Sequence, residues 1–408
     1  MDSILENLIN QPEQRFLFND APVPASQFRI ELGTHTRVIG EFWTAKQRQA
    51  ASIHELAYRA CFKAQLPNFF ITKFTNKGDI VYDPFSGRGT TVIEAALLGR
   101  NAIANDINPI CRILAEGRLT LPSLVDIKKR LEEITLDKSA TSDIDLSMFY
   151  HPDTLGEIVS LKEYFLQREN EGTIDGVDKW IRMVATNRLT GHSNGYFSVY
   201  TLPPNQAVSP ERQKIINVKY KQLPTYRSTK EIIYKKSRSL LSGLTADQIR
   251  NVKATTVRFL TEDARRTFSI TDESVSLTVT SPPFLDVVQY AQDNWLRCWF
   301  NGIDARKIEA NITMSRTVSS WSQVMNDVFK ELYRITKPGG WVAFEVGEVR
   351  SGKVKLEEAV IPLGEMNGFR CDCVMINEQN FTKTANIWGV RNNSKGTNSN
   401  RIVVFQRK

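Results

Sequence analysis

A hydroxyl, two prolines and an aromatic ring stand together at Ser281-Pro282-Pro283-Phe284, at the end of the apolar run Val275-Ser276-Leu277-Thr278-Val279-Thr280. Proline fixes the backbone and carries no N–H. Carbonyls near such a turn are therefore left facing a pocket, with the Ser281 hydroxyl beside them and Phe284 offering a flat face for stacking. Far upstream lies a second chemical stretch, Asp83-Pro84-Phe85-Ser86-Gly87-Arg88-Gly89-Thr90-Thr91. Together the two predict a cofactor loop and a base-holding loop at adjacent strand ends.

In the upstream stretch, Gly87 and Gly89 are the positions where a side chain would block a ligand's approach to backbone amides. Asp106, at the end of the next expected strand, is placed to accept both hydroxyls of a ribose. The plainer alternative is a tight strand–helix turn, with glycines for packing and Asp106 capping a helix that starts at Pro109. The stretch is not a Walker loop, because the Gly-Lys-Ser/Thr ending is missing. It also departs from G-x-G-x-x-G, with Val92 in the third glycine position. At this level any nucleoside cofactor would fit.

Positioning these turns requires alternating strands and helices. Residues 79–83 predict a buried strand, 90–98 a helix stopped by Gly99, and 101–106 the next strand. That βαβ unit implies a parallel sheet and a right-handed crossover. Strands over 255–260 and 275–280 lead into Thr261-Glu262-Asp263 and the serine turn. A helix through 293–297 follows, then a long helix over about 317–336 ending at Lys337-Pro338-Gly339-Gly340, then a strand over 341–346. Residues 371–375 and 401–405 predict a closing antiparallel pair. Between the halves, helical patterns at 153–167 and 176–187 lead to Gly191–Pro204, read as a turn, a short aromatic strand and a proline stop. The loop around Asn392–Asn398 reads as mobile.

The 408 residues suffice for an α/β core plus a second module. With 41% hydrophobic and 24% charged residues the composition is that of an ordinary globular protein. No apolar run approaches the ~20 residues that span a bilayer, and the start lacks a secretory pattern, so a cytoplasmic location is expected. The net charge of +8 favours a polyanionic partner. The five cysteines read as reduced core thiols, and the four histidines show no metal-ligand spacing. No metal is expected.

The two stretches resemble motifs of the S-adenosylmethionine-dependent amino-methyltransferases of DNA. Asp83–Thr91 looks like the family's cofactor motif, whose usual form has a small residue where Arg88 stands. Thr280-Ser281-Pro282-Pro283-Phe284 looks like the catalytic motif in its serine form, which is associated with cytosine N4. The Asp/Asn form is associated with adenine N6. The resemblance covers roughly 45–120 and 255–350. It implies a class I (Rossmann-like) α/β fold, a doubly wound, mostly parallel sheet with an antiparallel closing strand. Cofactor contacts would come from Asp83, Phe85, Ser86, Gly87, Gly89, Thr90, Thr91, Asp106 and Asp263. Residues from His54 to Phe70 resemble the segment covering the methionine end. Ser281 and the Pro282 carbonyl would accept the amino hydrogens, Pro283 would complete the rigid turn, and Phe284 would stack on a base flipped from duplex DNA. Tyr290 would form the opposite wall, or belong to the core. A cysteine nucleophile for C5 methylation is not apparent, since no Pro-Cys dipeptide occurs.

This reading divides the chain into 1–120 and 251–408, two parts of the methyltransferase core, around an inserted target-recognition section at 121–250. That section carries many cations, among them Arg212, Lys214, Lys219, Lys221, Arg227, Lys230, Lys235, Lys236 and Arg238. These would contact phosphates. Asn194, Tyr196, Arg212 and Lys214 are candidates to read bases, and the alternative is a solvated basic face. Lys395 is a further candidate for backbone contact. The resemblance also implies a restriction–modification or regulatory role, with a restriction endonuclease partner and nucleoid association. Adenine-N6 methylation, RNA base methylation and a non-catalytic DNA-binding protein stand as the alternatives.

Overall fold

The computed structural model describes residues 29–408, apart from 41, 43–49, 59–60, 202–206, 284–289, 312–314, 316, 347, 350–353 and 379–398. Phe284, Lys395 and the loop around 392–398 lie outside the described residues, as do 1–28.

The chain opens with β1 (Arg29–Glu31), β2 (Arg37–Gly40) and α1 (Gln65–Phe74). Then come β3 (Ile80–Asp83), α2 (Thr90–Leu97), β4 (Asn101–Asn105) and α3 (Ile110–Leu119). Six helices follow without a named strand between them. These are α4 (Leu124–Glu133), α5 (Pro152–Asn170), α6 (Gly176–Arg188), α7 (Pro210–Tyr220), α8 (Thr229–Leu241) and α9 (Ala246–Ala254). The sheet resumes with β5 (Val257–Leu260) and β6 (Val275–Thr280), then α10 (Tyr290–Asp293), α11 (Trp295–Phe300), α12 (Ala305–Asn311) and α13 (Val318–Ile335). The last elements are β7 (Thr336–Val346), the small pair β8 (Glu348–Val349) and β9 (Val354–Lys355), α14 (Leu356–Met366), β10 (Phe369–Glu378) and β11 (Ser399–Arg407).

The main sheet has the order β1-β2-β10-β11-β7-β6-β3-β4-β5. The strands β5, β4, β3, β6 and β7 are mutually parallel, whereas β11 runs antiparallel between β7 and β10. This is the doubly wound sheet with an antiparallel closing strand expected for a class I methyltransferase. From β3 the chain winds outward through β4 and β5, then restarts on the other side at β6. The reversal therefore falls between β3 and β6, and ligands bind in the crevice at the carboxyl ends of strands at such a point.

Both faces of the sheet are covered, which is why β6 is buried at every residue even though Ser276, Thr278 and Thr280 alternate with its apolar residues. On one face Tyr82, Ile103, Val275, Val342 and Phe344 pack with Trp321, Met325, Val328, Phe329 and Leu332 of α13. Those α13 residues recur at helical spacing. On the other face Val81, Ala102, Leu277, Val279 and Ala343 pack against α1 and α2. The six-helix section forms a third cluster around Trp180, Phe149 and Phe165, and it runs on into Ile53, Leu114 and Leu296 near the sheet. The Trp180 side chain is fully buried, with its Nε1 donating to Ser237 at 2.9 Å. Truncating such a residue to alanine costs about 3–5 kcal/mol.

Two sequence expectations change. Residues 191–201 form bends joined by one bridge, Gly191↔Tyr200, instead of an aromatic strand. Phe197 and Val199 are held by backbone bonds to Arg188 and Phe149. The predicted turn at Lys337–Gly340 is instead part of β7, where the register against β6 shifts between Val275↔Thr336 and Leu277↔Trp341. The extra residues bulge out of the ladder, with Gly339 in the left-handed region at φ 77°.

Candidate active site

The turns after β3 and β6 open on one cavity. Its wall includes Phe85 and Gly87 from the first turn, and Ser281 and Pro283 from the second. Asp106 and Asp263 line it from beyond β4 and β5, and Tyr58, Trp321 and Met325 close it. Thus Phe85, Gly87, Asp106, Asp263, Ser281 and Pro283, far apart in sequence, are brought together. Asp83, Ser86, Gly89, Thr90, Thr91 and Pro282 do not line it and stand behind or beside the wall.

The turn after β3 is built from internal hydrogen bonds. Asp83 accepts from the Phe85 amide at 3.1 Å and from the Thr280 hydroxyl at 2.7 Å, which locks the two strand ends together. Burial raises the Asp83 carboxyl to about 7 despite these donors. The Ser86 amide reaches Asn105 O at 3.0 Å, and Gly89 N reaches Ser86 O at 2.6 Å. Thr91 Oγ1 donates to Val279 O at 3.0 Å, and Thr90 accepts from Arg88 Nε at 3.0 Å. These five residues therefore shape the turn.

The glycines differ from the sequence expectation. Both have positive φ, 50° at Gly87 and 79° at Gly89. A Cβ on Gly89 would sit 2.5 Å from Ala115 Cβ of α3, so its freedom serves helix packing and not ligand approach. A Cβ on Gly87 would find its nearest atom 3.7 Å away, on the Tyr58 ring. The Gly87 amide donates to Asp106 Oδ2 at 2.8 Å, while Asp106 Oδ1 accepts from Asn108 N at 2.9 Å. Each Asp106 oxygen keeps a further lone pair. Burial raises its pKa. The Asp263 carboxylate pairs with Arg265 at 2.5 Å, and that contact holds its pKa below the usual range.

Arg88, which stands where the family motif has a small residue, reaches away from the cavity. Its guanidinium donates to the carbonyls of Leu56 at 2.8 Å and of His54 and Phe62 at 3.3 Å. Buried Arg118 donates to Ile53 O at 3.4 Å and to Arg88 O. Arg297, from α11, donates to Ala57 O at 2.8 Å. Below the segment, His54 Nε2 meets Glu94 at 2.7 Å, and Asn68 holds the other Glu94 oxygen at 2.7 Å. Three arginines from three elements thus fix the irregular stretch that presents Tyr58 to the cavity.

The turn after β6 is barer. Pro283 O accepts from Trp321 Nε1 at 2.9 Å. Ser281 hydrogen-bonds Glu345, a carboxyl near the end of β7 that burial pushes up and that Asn400 also contacts. Sequence reasoning missed Glu345, Tyr58 and Trp321. A signal for Glu345 existed, since it is the lone acid in the apolar run Trp341-Val342-Ala343-Phe344-Glu345-Val346.

Of the candidate base readers, Tyr196 is buried, with Arg188 4.0 Å above its ring. Asn194 is exposed and accepts from Arg227 at 3.2 Å. Arg212 and Lys214 lie exposed on α7. Among the described residues no group of His, Cys, Asp and Glu could hold a metal, and no helix is long and apolar enough to cross a membrane.

Residues 17–116 match the DNA methylase family model. Over 314 residues the chain is 26% identical to a type II methyltransferase of Geobacillus stearothermophilus, an alignment covering 69% of this chain and 60% of that protein. Over 74 residues it is 38% identical to a type II methyltransferase of Methanocaldococcus jannaschii, covering 18% of this chain and 14% of that protein. The chain therefore spans less than two thirds of each of these relatives. A SAM-dependent methyltransferase structure from Methanosarcina mazei aligns with a TM-score of 0.32 at 11% identity, covering 83% of this chain and 96% of that one.

Proposed function

We propose that this chain is an S-adenosylmethionine-dependent DNA amino-methyltransferase that modifies the exocyclic N4 of a cytosine flipped out of the duplex. The observation carrying this reading is the convergence of Asp106, Asp263 and Ser281 on one cavity at the β3/β6 reversal. The family match supports the class, and the resemblance of the serine turn to the cytosine-N4 form of the motif supports cytosine.

The lining fits the cofactor. It includes three acids, Asp106, Glu262 and Asp263, against one cation, Arg265, which is already paired with Asp263. Such a wall repels a polyphosphate and suits a ligand with positive centres. Asp106 would hold the ribose hydroxyls, the apolar walls of Phe85 and Met325 the adenine, and Gly87 and Tyr58 the methionine end. When bound, the cofactor supplies a sulfonium methyl. The turn's task is to make an aromatic amine nucleophilic. Ser281 Oγ and the Pro282 carbonyl would accept the two amino hydrogens and turn the nitrogen lone pair toward the methyl. Attack of that nitrogen on the methyl would be a direct in-line displacement, the N–C bond forming as the C–S bond broke. The orientation these residues impose would supply much of the rate. Ser281 donates its own hydrogen toward Glu345, which keeps the oxygen lone pairs aimed at the base and offers a route for the released proton. Residues 121–250 would recognise the target, and the restriction–modification setting rests on the resemblance alone.

The test is mass spectrometry of nucleosides from duplex DNA incubated with the protein and methyl-labelled cofactor. N4-methylcytosine is expected. N6-methyladenine would keep the reaction and overturn the base assignment. Product on structured RNA alone would replace the substrate, and no product on either would leave a binding protein.

A further inference from the structure

Helix α7 is turned inside out. Its buried residues are Gln213 and Ile216, and its anchorage is polar. Gln213 Nε2 donates to Tyr200 O at 3.1 Å and to Asn217 at 2.7 Å, and Asn217 Nδ2 donates to Met148 O at 2.7 Å. Ile216 alone of its aliphatic residues packs inward; the others face out, with Ile215 57%, Val218 80% and, just beyond the helix, Leu223 83% exposed. Single exposed apolar side chains are ordinary. Three within 215–223 reverse the pattern of a helix that only packs on its own protein.

At about 100° of turn per residue, Ile215 and Val218 occupy the middle of the exposed arc. Arg212 and Lys219 flank it on one side, Lys214 and the C-cap Lys221 on the other. Among the described residues Arg212, Lys219 and Lys221 have no carboxylate partner. Lys214 lies 3.9 Å from Asp145, with both side chains largely exposed, a pair worth little. Glu211, the acid on this arc, sits in the first turn, where the helix dipole favours it. Three other cations of this section are committed elsewhere. Arg227 holds the carbonyls of residues 193, 196 and 198, Lys230 holds Ile134 O, and Lys236 pairs with Glu55.

We propose that the exposed face of α7 enters a groove of duplex DNA, with Ile215 and Val218 against base edges and the flanking cations on the phosphates at either side. This rests on the DNA reading above. An apolar stripe between two basic rows matches a helix of about 16 Å lying in the roughly 12 Å-wide major groove. A self-pairing of two copies through this face would set cations against cations. The segment leading into the helix is also tied to α10 and α11: Ala207 N donates to Asp293 O at 3.2 Å, and Trp295 Nε1 to Val208 O at 3.3 Å. Those two helices follow the turn after β6 in the chain, so a groove contact and a flipped base belong to one bound duplex.

The test is fluorescence anisotropy with a labelled duplex of mixed sequence, across a salt series. It compares the intact protein, a variant carrying Arg212→Ala, Lys214→Ala, Lys219→Ala and Lys221→Ala, and a variant carrying Ile215→Ser and Val218→Ser. All replaced groups are exposed, so unchanged melting temperatures are expected for both. The first variant should bind on the order of tenfold or more weaker at low salt, its log–log salt slope shallower by about one per cation removed. The second should keep the slope and lose preference for methylatable over non-methylatable duplex. If the intact protein binds and methylates duplex DNA and both variants match it, the α7 assignment fails alone. If the intact protein binds no duplex, the DNA reading fails with it. Loss of dimerisation in sedimentation, or loss of RNA-hairpin binding alone, would assign the face to another partner and overturn the proposal.

Discussion

The turns that follow the neighbouring strands β3 and β6 solve opposite problems. Between Asp83 and Thr91 nearly every polar group has a partner within the protein, through Asn105, Asp106, Val279 and the arginine-held segment above. The turn at Ser281–Pro283 has two residues without an N–H and one hydroxyl already directed to Glu345. The first is a rigid frame that shows only a few edges, among them Phe85 and Gly87, to the cavity. The second is rich in acceptors and poor in donors, a surplus that an amino group would fill. The first turn is saturated by its own hydrogen bonds, whereas the second, with two prolines, offers few donors of its own.

The largest expected effect breaks that contrast at the acting turn. Ser281→Ala should lower turnover on the order of a hundredfold or more while cofactor affinity stays within about twofold. A near-normal rate would remove Ser281 from the chemistry. Next comes the frame itself. Gly89→Ala should cost roughly 2–4 kcal/mol in urea unfolding, because the new Cβ meets Ala115 and the backbone is left-handed. Gly87→Ala, whose Cβ would make only ordinary contacts with Tyr58 at 3.7 Å, should cost only about 1 kcal/mol. Equal losses would show that packing does not distinguish the two glycines.

Arg88→Ala should then remove roughly 2 kcal/mol, since three carbonyls lose a charged donor. Cofactor affinity should weaken with it while kcat is retained, because Tyr58 would be less firmly placed. Unchanged cofactor binding in an isothermal titration would free the segment from that role. The last effect is in pH. Asp83 is raised to about 7 when folded and titrates near 4 when unfolded. Between about 4 and 7 the folded state therefore holds the extra proton, and stability falls as pH rises through that window, by at most about 1.4 kcal/mol per pH unit. Asp83→Asn should flatten this window in denaturant melts recorded across it, and an unaltered slope would place the titration elsewhere.

Much of this architecture was legible in the chain. The apolar runs at 80–83, 101–105, 257–260 and 275–280, with helices between, announced a parallel sheet. The prolines and glycines marked both turns, because strand and helix periodicity and turn chemistry depend on residues a few positions apart. Other features depended on which distant segments became neighbours. That Gly89 serves α3 packing followed only from Ala115 lying beneath it, and that Tyr196 is core followed from Arg188 stacking on it. The basic section read as one diffuse surface until the fold committed Arg227, Lys230 and Lys236 to internal partners and left α7 exposed.

By itself, then, the sequence determined the order of strands and helices, the two turns and the acids at the strand ends. Tertiary structure alone decided that β6 pairs between β3 and β7. That pairing sets Thr280 against Asp83 and Ser281 against Glu345. The physical reason is range. Local pattern is written in neighbours along the chain, whereas strand order is chosen by burial of both sheet faces at once, and no single segment carries that information.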